Sequence, residues 1–394
     1  MTRPVRRHRL RLPTTVAAAA TSVLLLAGCG GGLLGGDDES ADSSGPIVLG
    51  MVTPLSGSSS AIGPYMQNGA QLAVDEINAD GGVLGRDLEL VVEDEACDPK
   101  TAVAAANKLL TEGVVVSVGG YCSGATLPTL PIFNKANVPM VIPAANSDDL
   151  VNQNLDNVFL INGTGTQQAA AALQYIEKSG MQRVALMDDN TSYSTNIADL
   201  TADLLDESGG PELAEKQSVT AGESDYSANV NAVVATNPDL VYWTGYYQEG
   251  GLIIRQLRQA GYQGDIMVAD GSVDKQLLAI AGEQNADGVL ATMTQTPDTI
   301  PGAEQWISDY KDQFGEDPGP YSTQSYDAVR VAAEAIKQAD STDGGDIITA
   351  LEEIDGFQLF SGPLTFTDEH TLSNGGFQIL ESSDGAFKLK DPLQ

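Results

Sequence analysis

Histidine is almost missing from this sequence: of 394 residues, only His8 and His370 carry an imidazole. That leaves no material for a His-based metal centre, and none for a Ser-His-Asp triad if the segment carrying His8 is removed. Cysteine is nearly as scarce, with Cys29, Cys97 and Cys122 the whole complement. No Cys-x-x-Cys, Walker loop or Gly-x-Ser-x-Gly elbow occurs. Gly163 and Gly165 begin a dinucleotide-like pattern, but Gln168 stands in the third glycine's place. Ser272-Val-Asp-Lys275 has the spacing of a Ser-x-x-Lys nucleophile without its Lys-Thr-Gly companion, so Lys275 reads as helix surface. Adjacent acids such as Asp188 and Asp189 rarely both face one glycosidic bond, and these read as the solvated start of a loop. Together these gaps argue against an enzyme and predict neither a metal site nor a cofactor.

Positive charge is the next shortage. Lys and Arg number 20 against 54 Asp and Glu, a formal net charge of −34. Five of those 20 are Arg3, Arg6, Arg7, Arg9 and Arg11, which leaves very few for the rest of the chain. Nucleic acid is therefore excluded as a partner, since phosphate binding needs a basic footprint. The acids, Asp37, Asp38 and Glu39 among them, are scattered through loops as on a solubilising surface of an exported protein.

The N-terminal arginines precede an apolar run, Thr14 to Ala27, too short for the roughly 18 residues of a membrane span. Residues 1–28 read as a signal peptide, with Arg6-Arg7 a weak hint of twin-arginine export. The run ends in Leu26-Ala27-Gly28-Cys29, which resembles the lipobox of bacterial lipoproteins, and that resemblance implies lipidation of Cys29. Residues 29–45, mostly Gly, Ser and Asp, read as a flexible tether. No later apolar run is long enough to span a bilayer. With Cys29 lipidated, Cys97 and Cys122 remain, and an exported pair invites a disulfide worth about 3 kcal/mol, two reduced thiols being the alternative.

From about Pro46 the chain alternates β-branched runs with helical segments. Strands are predicted over 47–52, 88–92, 114–118, 139–142, 183–187, 214–219, 240–243 and 266–268. Helices are predicted between them, including one over 125–136, and later over 303–314 and 324–339. Strand-helix repetition predicts an α/β fold with parallel sheets covered on both faces, in two doubly wound lobes. Ligands of such sheets sit off the carboxyl ends of the strands. The residues there are 53–60, 119–123, 143–147, 188–193, 244–247 and 269–272. They are rich in small residues, hydroxyls and tyrosines, with one candidate carboxylate, Asp270, and no basic cluster. That inventory suits a neutral or zwitterionic solute rather than a phosphate.

Several segments, in order and spacing, resemble one family. They are Glu93-Asp-Glu-Ala-Cys-Asp-Pro-Lys100, Gly120-Tyr-Cys-Ser123, Asn68 to Gly82, Pro143-Ala-Ala145, Gly245-Tyr246, Arg255 to Ala260 and Gly362-Pro-Leu364. The chain is similar to the type I periplasmic binding proteins, specifically those that bind leucine, isoleucine and valine for ABC importers. The resemblance implies two lobes joined by three crossings: 46–162 with 293–376, and 163–292 with 377–394. It implies a Cys97–Cys122 disulfide, a monomer, ABC permease subunits as partners and an extracytoplasmic, lipid-anchored location. It also implies a zwitterion clamp. Ser123, expected to open a helix with an anion-friendly N-terminus, would hold the ligand carboxylate. Ala144 and Ala145 would offer backbone groups, Asp270 would pair with the ammonium, and Tyr193 and Tyr246 would close over the solute. Helix capping is the other reading of both Ser123 and Asp270.

Departures from the family are expected to shape what is bound. Asn146 replaces a hydroxyl residue, Ile62 an aromatic and Tyr121 a leucine beside the side-chain pocket, which Tyr321 would also line. Asp270 is shorter than the family's glutamate. An amide, urea or aromatic acid on the same scaffold, or a ligand-sensing module, is the alternative function. One prediction follows from the N-terminus alone: Cys29→Ala abolishes incorporation of radiolabelled fatty acid, and label in the variant overturns the lipobox assignment.

Overall fold

A computed structural model describes residues 45–393; the predicted signal peptide, Cys29 and nearly all of the tether lie outside them. The first sheet is built from β1 (Ile47–Thr53), β2 (Leu88–Asp94), β3 (Val116–Ser117), β4 (Met140–Ile142) and β5 (Val158–Leu160). All pair in parallel, in the order β2-β1-β3-β4-β5. Its helices are α1 (Gly63–Ala79), α2 (Pro99–Thr111), α3 (Ser123–Thr126) and α4 (Leu130–Lys135). β1 is apolar on both faces because both are covered: Leu49 and Met51 pack with α1, while Val52 packs on the opposite side against α2 and α4. Asp98 sets the start of α2 by accepting the Lys100 and Thr101 N–H groups, with Pro99 next in line.

The chain crosses at residues 161–164 and builds a second α/β unit. It comprises α5 (Gly165–Lys178), β6 (Arg183–Asp188), α6 (Ser192–Ser208), β7 (Glu212–Ser218), α7 (Ser227–Ala235) and β8 (Leu240–Trp243). It continues through α8 (Tyr247–Gln259), β9 (Asp265–Val268), α9 (Lys275–Ala281), α10 (Glu283–Ala286) and β10 (Leu290–Met293). A capping box of Thr164 and Gln167 opens α5 immediately after the crossing. A second crossing leads to α11 (Glu304–Phe314), α12 (Ser322–Ala339), α13 (Gly344–Glu353) and the hairpin of β11 (Asp355–Leu359) and β12 (Gly362–Thr365). There α12 packs on α1 so closely that a Cβ on Gly69 would lie 2.0 Å from the Ser322 carbonyl oxygen. The chain then crosses a third time to β13 (Gln378–Ser383) and β14 (Ala386–Asp391). The second sheet runs β14-β13-β10-β9-β8-β6-β7.

The strand order 2-1-3-4-5 of the first sheet recurs in β7-β6-β8-β9-β10. Each half therefore reverses direction between its first and third strands, and a crevice forms off the strand ends at that point. Several details depart from expectation. The second sheet is not wholly parallel, because β13 and β14 add antiparallel pairs at its edge. The strands at 158–160 and 290–293 and the 355–365 hairpin carry too little period-2 contrast to stand out. The helix expected over 125–136 is broken by Pro128 and Pro131 into α3, a 3-10 turn and α4. Asp188 and Asp189 are buried rather than solvated. Their carboxylates fold the turn after β6 by accepting the Asn190 and Thr191 N–H groups.

Cys97 and Cys122 form a disulfide with Cα atoms 5.4 Å apart. Ala96 and Cys97 take the left-handed conformation to make the approach. Beneath it lies Glu95, 1% exposed, with neither carboxyl oxygen hydrogen-bonded. Burial pushes this carboxyl up to about 8, and the nearby Cys122 N–H, which favours the anion, offsets only part of the effect. The folded value lies above the ordinary 4.5, so folding takes up a proton. The associated stability is complete below about pH 4.5 and is lost as pH rises through about 8, at ~1.4 kcal/mol per pH unit. Urea unfolding should therefore show Glu95→Gln gaining on the wild type by roughly 3–4 kcal/mol between pH 5 and 8. A pH-independent difference would mean that Glu95 does not hold its proton in the folded state.

Candidate functional site

The two crevices face each other across the crossings, and the strand-end residues of both halves meet there. From the first sheet come the loop after β3 and the loop after β4. Gly119 lets the first pass over β1, since a Cβ there would stand 2.4 Å from the Val52 nitrogen. Ser123 is buried, and its Oγ accepts the N–H groups of Asn146 at 3.3 Å and Ser147 at 3.2 Å. Its expected role at a helix N-terminus needs correction. The helix that Ser123 opens has only four residues, and one turn of helix carries little dipole. Ser123 instead ties the two loops together. Ala145 donates its N–H to the Gly120 carbonyl at 3.0 Å, and the Ala144 carbonyl accepts the Asn162 side chain at 2.8 Å.

From the second sheet comes Asp270, only 2% exposed, in a 3-10 turn after β9. It caps no helix; Asp274 caps α9 by accepting the Gln276 N–H. The Asp270 carboxylate instead takes the Tyr193 hydroxyl on Oδ1 at 2.5 Å and the Tyr321 hydroxyl on Oδ2 at 2.8 Å. The Asn146 side-chain Nδ2 faces Oδ2 at 3.5 Å. Burial raises the Asp270 carboxyl above the usual range, while the two phenols pull it back by stabilising the anion. Tyr193 belongs to the second half, whereas Tyr321 and Asn146 reach across from the first. Tyr321 does so from a left-handed conformation (φ +64°) at the head of α12, unusual for a bulky residue.

Three buried tyrosines, Tyr121, Tyr193 and Tyr321, and the half-buried Tyr246 surround this carboxylate. Ring centroids are 4.9 Å apart for Tyr193 and Tyr246, 5.8 Å for Tyr121 and Tyr246, and 5.5 Å for Tyr121 and Tyr321. The Tyr121 hydroxyl donates to the Gly271 carbonyl at 3.3 Å, a further bond between the halves. The structure thus brings Ser123, Asn146, Tyr121, Tyr193, Tyr246, Asp270 and Tyr321 into one cluster, with Ala144 and Ala145 in the loop that carries Asn146. A separate crevice of about 580 Å³, between Tyr65, Lys275, Pro297 and Phe387, is lined by none of them. Glu95, Cys97 and Cys122 come within 4.8 Å of one another, but the disulfide takes both sulfurs out of metal chemistry.

Sequence reading missed Gln168, which is fully buried on α5 and accepts the Asn146 side-chain N–H at 2.9 Å. Its signal was a lone amide on the core stripe Gln168, Ala172, Ile176 of an alanine-rich helix. Thr292, which accepts from Gln168 at 2.9 Å, lies in a strand that was not recognised.

Two doubly wound lobes, joined by three crossings and facing each other at their switch points, define the type I periplasmic-binding-protein fold. The chain belongs to the periplasmic binding protein family, which it matches over residues 46–386. It is 31% identical over 336 residues to the leucine-, isoleucine-, valine-, threonine- and alanine-binding protein of Pseudomonas aeruginosa, covering 85% of this chain and 89% of that one. Its structure is similar to the leucine-binding protein LivK of Thermotoga maritima, with TM-score 0.81, 28% identity, and 87% and 97% of the two chains covered. It is also similar to LivJ, the branched-chain amino acid transporter substrate-binding protein of Streptococcus pneumoniae, in complex with isoleucine. There the TM-score is 0.78 at 27% identity, over 87% and 98% of the chains.

Tyr193, in the first turn of α6, and Asp270, in the turn after β9, belong to the same half, so their bond does not depend on how the lobes are apposed. Tyr193→Phe should lower stability to urea by about 1–3 kcal/mol, because a buried carboxylate loses a donor. Stability equal to wild type would show that Asp270 does not need that phenol.

Proposed function

We propose that this protein is the extracytoplasmic solute receptor of an ABC importer and that it closes on an aliphatic amino acid of the branched-chain type. The single observation that carries the reading is the Asp270 carboxylate, buried at the meeting of two strand-end crevices and reached by phenols from both halves. A zwitterion entering such a place needs an acceptor for its ammonium and donors for its carboxylate, since neither charge can be left unpaired away from water. Asp270 is the acceptor. Ser123, whose oxygen accepts the Asn146 and Ser147 N–H groups, keeps its own hydroxyl hydrogen as the donor, with Ala144 and Ala145 supplying neighbouring backbone groups. Tyr121, Tyr193, Tyr246 and Tyr321 form the wall that excludes water as the lobes close.

The relatives support the same direction: one is named for leucine, isoleucine, valine, threonine and alanine, and another holds isoleucine. Lipid on Cys29 would keep the receptor at the membrane as a monomer beside its permease, on the tether of residues 29–45. Residues 46–162 with 293–376 would form one lobe, and 163–292 with 377–394 the other. Met293 is a boundary residue, because it ends a strand of the second sheet.

Calorimetric titration tests the clamp. Asp270→Ala should weaken binding by about 2–5 kcal/mol, roughly thirtyfold to several thousandfold, because the ammonium is left unpaired. Ser123→Ala should cost about 1–2 kcal/mol, since the two N–H groups it gathered remain to meet the carboxylate. Unchanged affinity in Asp270→Ala would remove the clamp and turn the assignment to an uncharged solute such as an amide.

A further inference from the structure

Asn146 has one polar atom that the protein leaves alone. Its N–H donates to Ser123 Oγ, its carbonyl accepts the Gly165 N–H at 2.7 Å, and its Nδ2 donates to Gln168 Oε1 at 2.9 Å. Oδ1 is buried, in a residue 1% exposed, and has no partner. The two ends of an amide have nearly the same shape, so its direction must come from its neighbours' chemistry. Asp270 supplies the direction. Both of its oxygens already accept a phenol hydroxyl, which makes it an acceptor, so Asn146 must turn Nδ2 towards it. Gln168 must then present Oε1 to that same Nδ2, which sends its own Nε2 to Thr292 Oγ1 at 2.9 Å. The Thr292 hydroxyl pairs in turn with the Tyr242 hydroxyl at 3.0 Å. Gln168, Thr292 and Tyr242 are fully buried, so no solvent can satisfy a flipped amide.

We propose that Gln168, Thr292 and Tyr242 form a positioning relay that holds the Asn146 amide with Oδ1 free, making it a second acceptor for the solute's nitrogen beside Asp270. This rests on the amino-acid reading above and sharpens it. The solute must carry at least two N–H donors on one nitrogen, which a primary ammonium does and a secondary one meets only at full stretch. The relay also gives a role to the glutamine that interrupts the glycine pattern of residues 163–168.

The test titrates L-leucine, L-isoleucine, L-valine and L-alanine into wild type, Gln168→Leu, Thr292→Val, Asn146→Ala and the Gln168→Leu/Asn146→Ala double variant. Gln168→Leu should bind about tenfold more weakly, with Thr292→Val between it and wild type. The Gln168→Leu penalty should shrink to less than about twofold in the Asn146→Ala background, because a positioning residue acts only through what it positions. A penalty of equal size in both backgrounds, or wild-type affinity in Gln168→Leu, overturns the relay. If wild type binds none of the four, the amino-acid reading fails, and the relay is judged on the Asn146 side-chain amide signals in nitrogen-15 spectra of the ligand-free protein. Slow hydrogen exchange that Gln168→Leu accelerates supports it; exchange unaffected by Gln168→Leu overturns it. Thr292→Val, nearly isosteric, serves as the second variant if Gln168→Leu does not fold.

Discussion

A carboxylate moved out of water loses several kcal/mol of hydration unless fixed donors replace it, and Asp270 is placed where almost no water reaches. Much of what surrounds it makes that placement tolerable. Tyr193 brings a donor from its own half, Tyr321 brings one from the other, and the Asn146 amide turns its N–H edge inward. Because the donors come from both halves, this one carboxylate helps to hold the two halves together.

The topology explains why these residues meet. Each half repeats the 2-1-3-4-5 strand order, so each has its crevice at the same place relative to its sheet. Three crossings apply the crevices face to face, and α12 returns to pack on α1 before β13 and β14 complete the second sheet. That return carries Tyr321 to Asp270 across 51 residues of chain. The left-handed backbone of Tyr321 is a local cost, and it is met by the packing of α12 on α1.

Behind the site, polar groups are buried in ways that local sequence does not announce. Glu95 sits without a partner under the Cys97–Cys122 disulfide, next to the loop that carries Tyr121 and Ser123. Asp188 and Asp189 look like a solvated pair in a string of letters, yet both are spent on folding the turn that delivers Tyr193. The sequence between strands is thus less a set of surface loops than a set of small buried polar groups, Asp188 and Asp189 accepting from their own turn and Glu95 left unpartnered.

Local pattern alone determined the α/β alternation, the covered parallel strands and the strand-end positions of Ser123, Tyr193, Tyr246 and Asp270. Apolar runs and helical stripes report which face of an element is buried, and strand ends follow from them. What tertiary structure alone decided is which strand ends meet. The antiparallel edge of β13 and β14, the approach of Tyr321, the tie from Ser123 Oγ to the next loop and the line from Gln168 to Tyr242 all join residues far apart in the chain. A hydrogen-bonding side chain carries no record in its own neighbourhood of the partner it will find, because that partner is supplied by the packing of other elements.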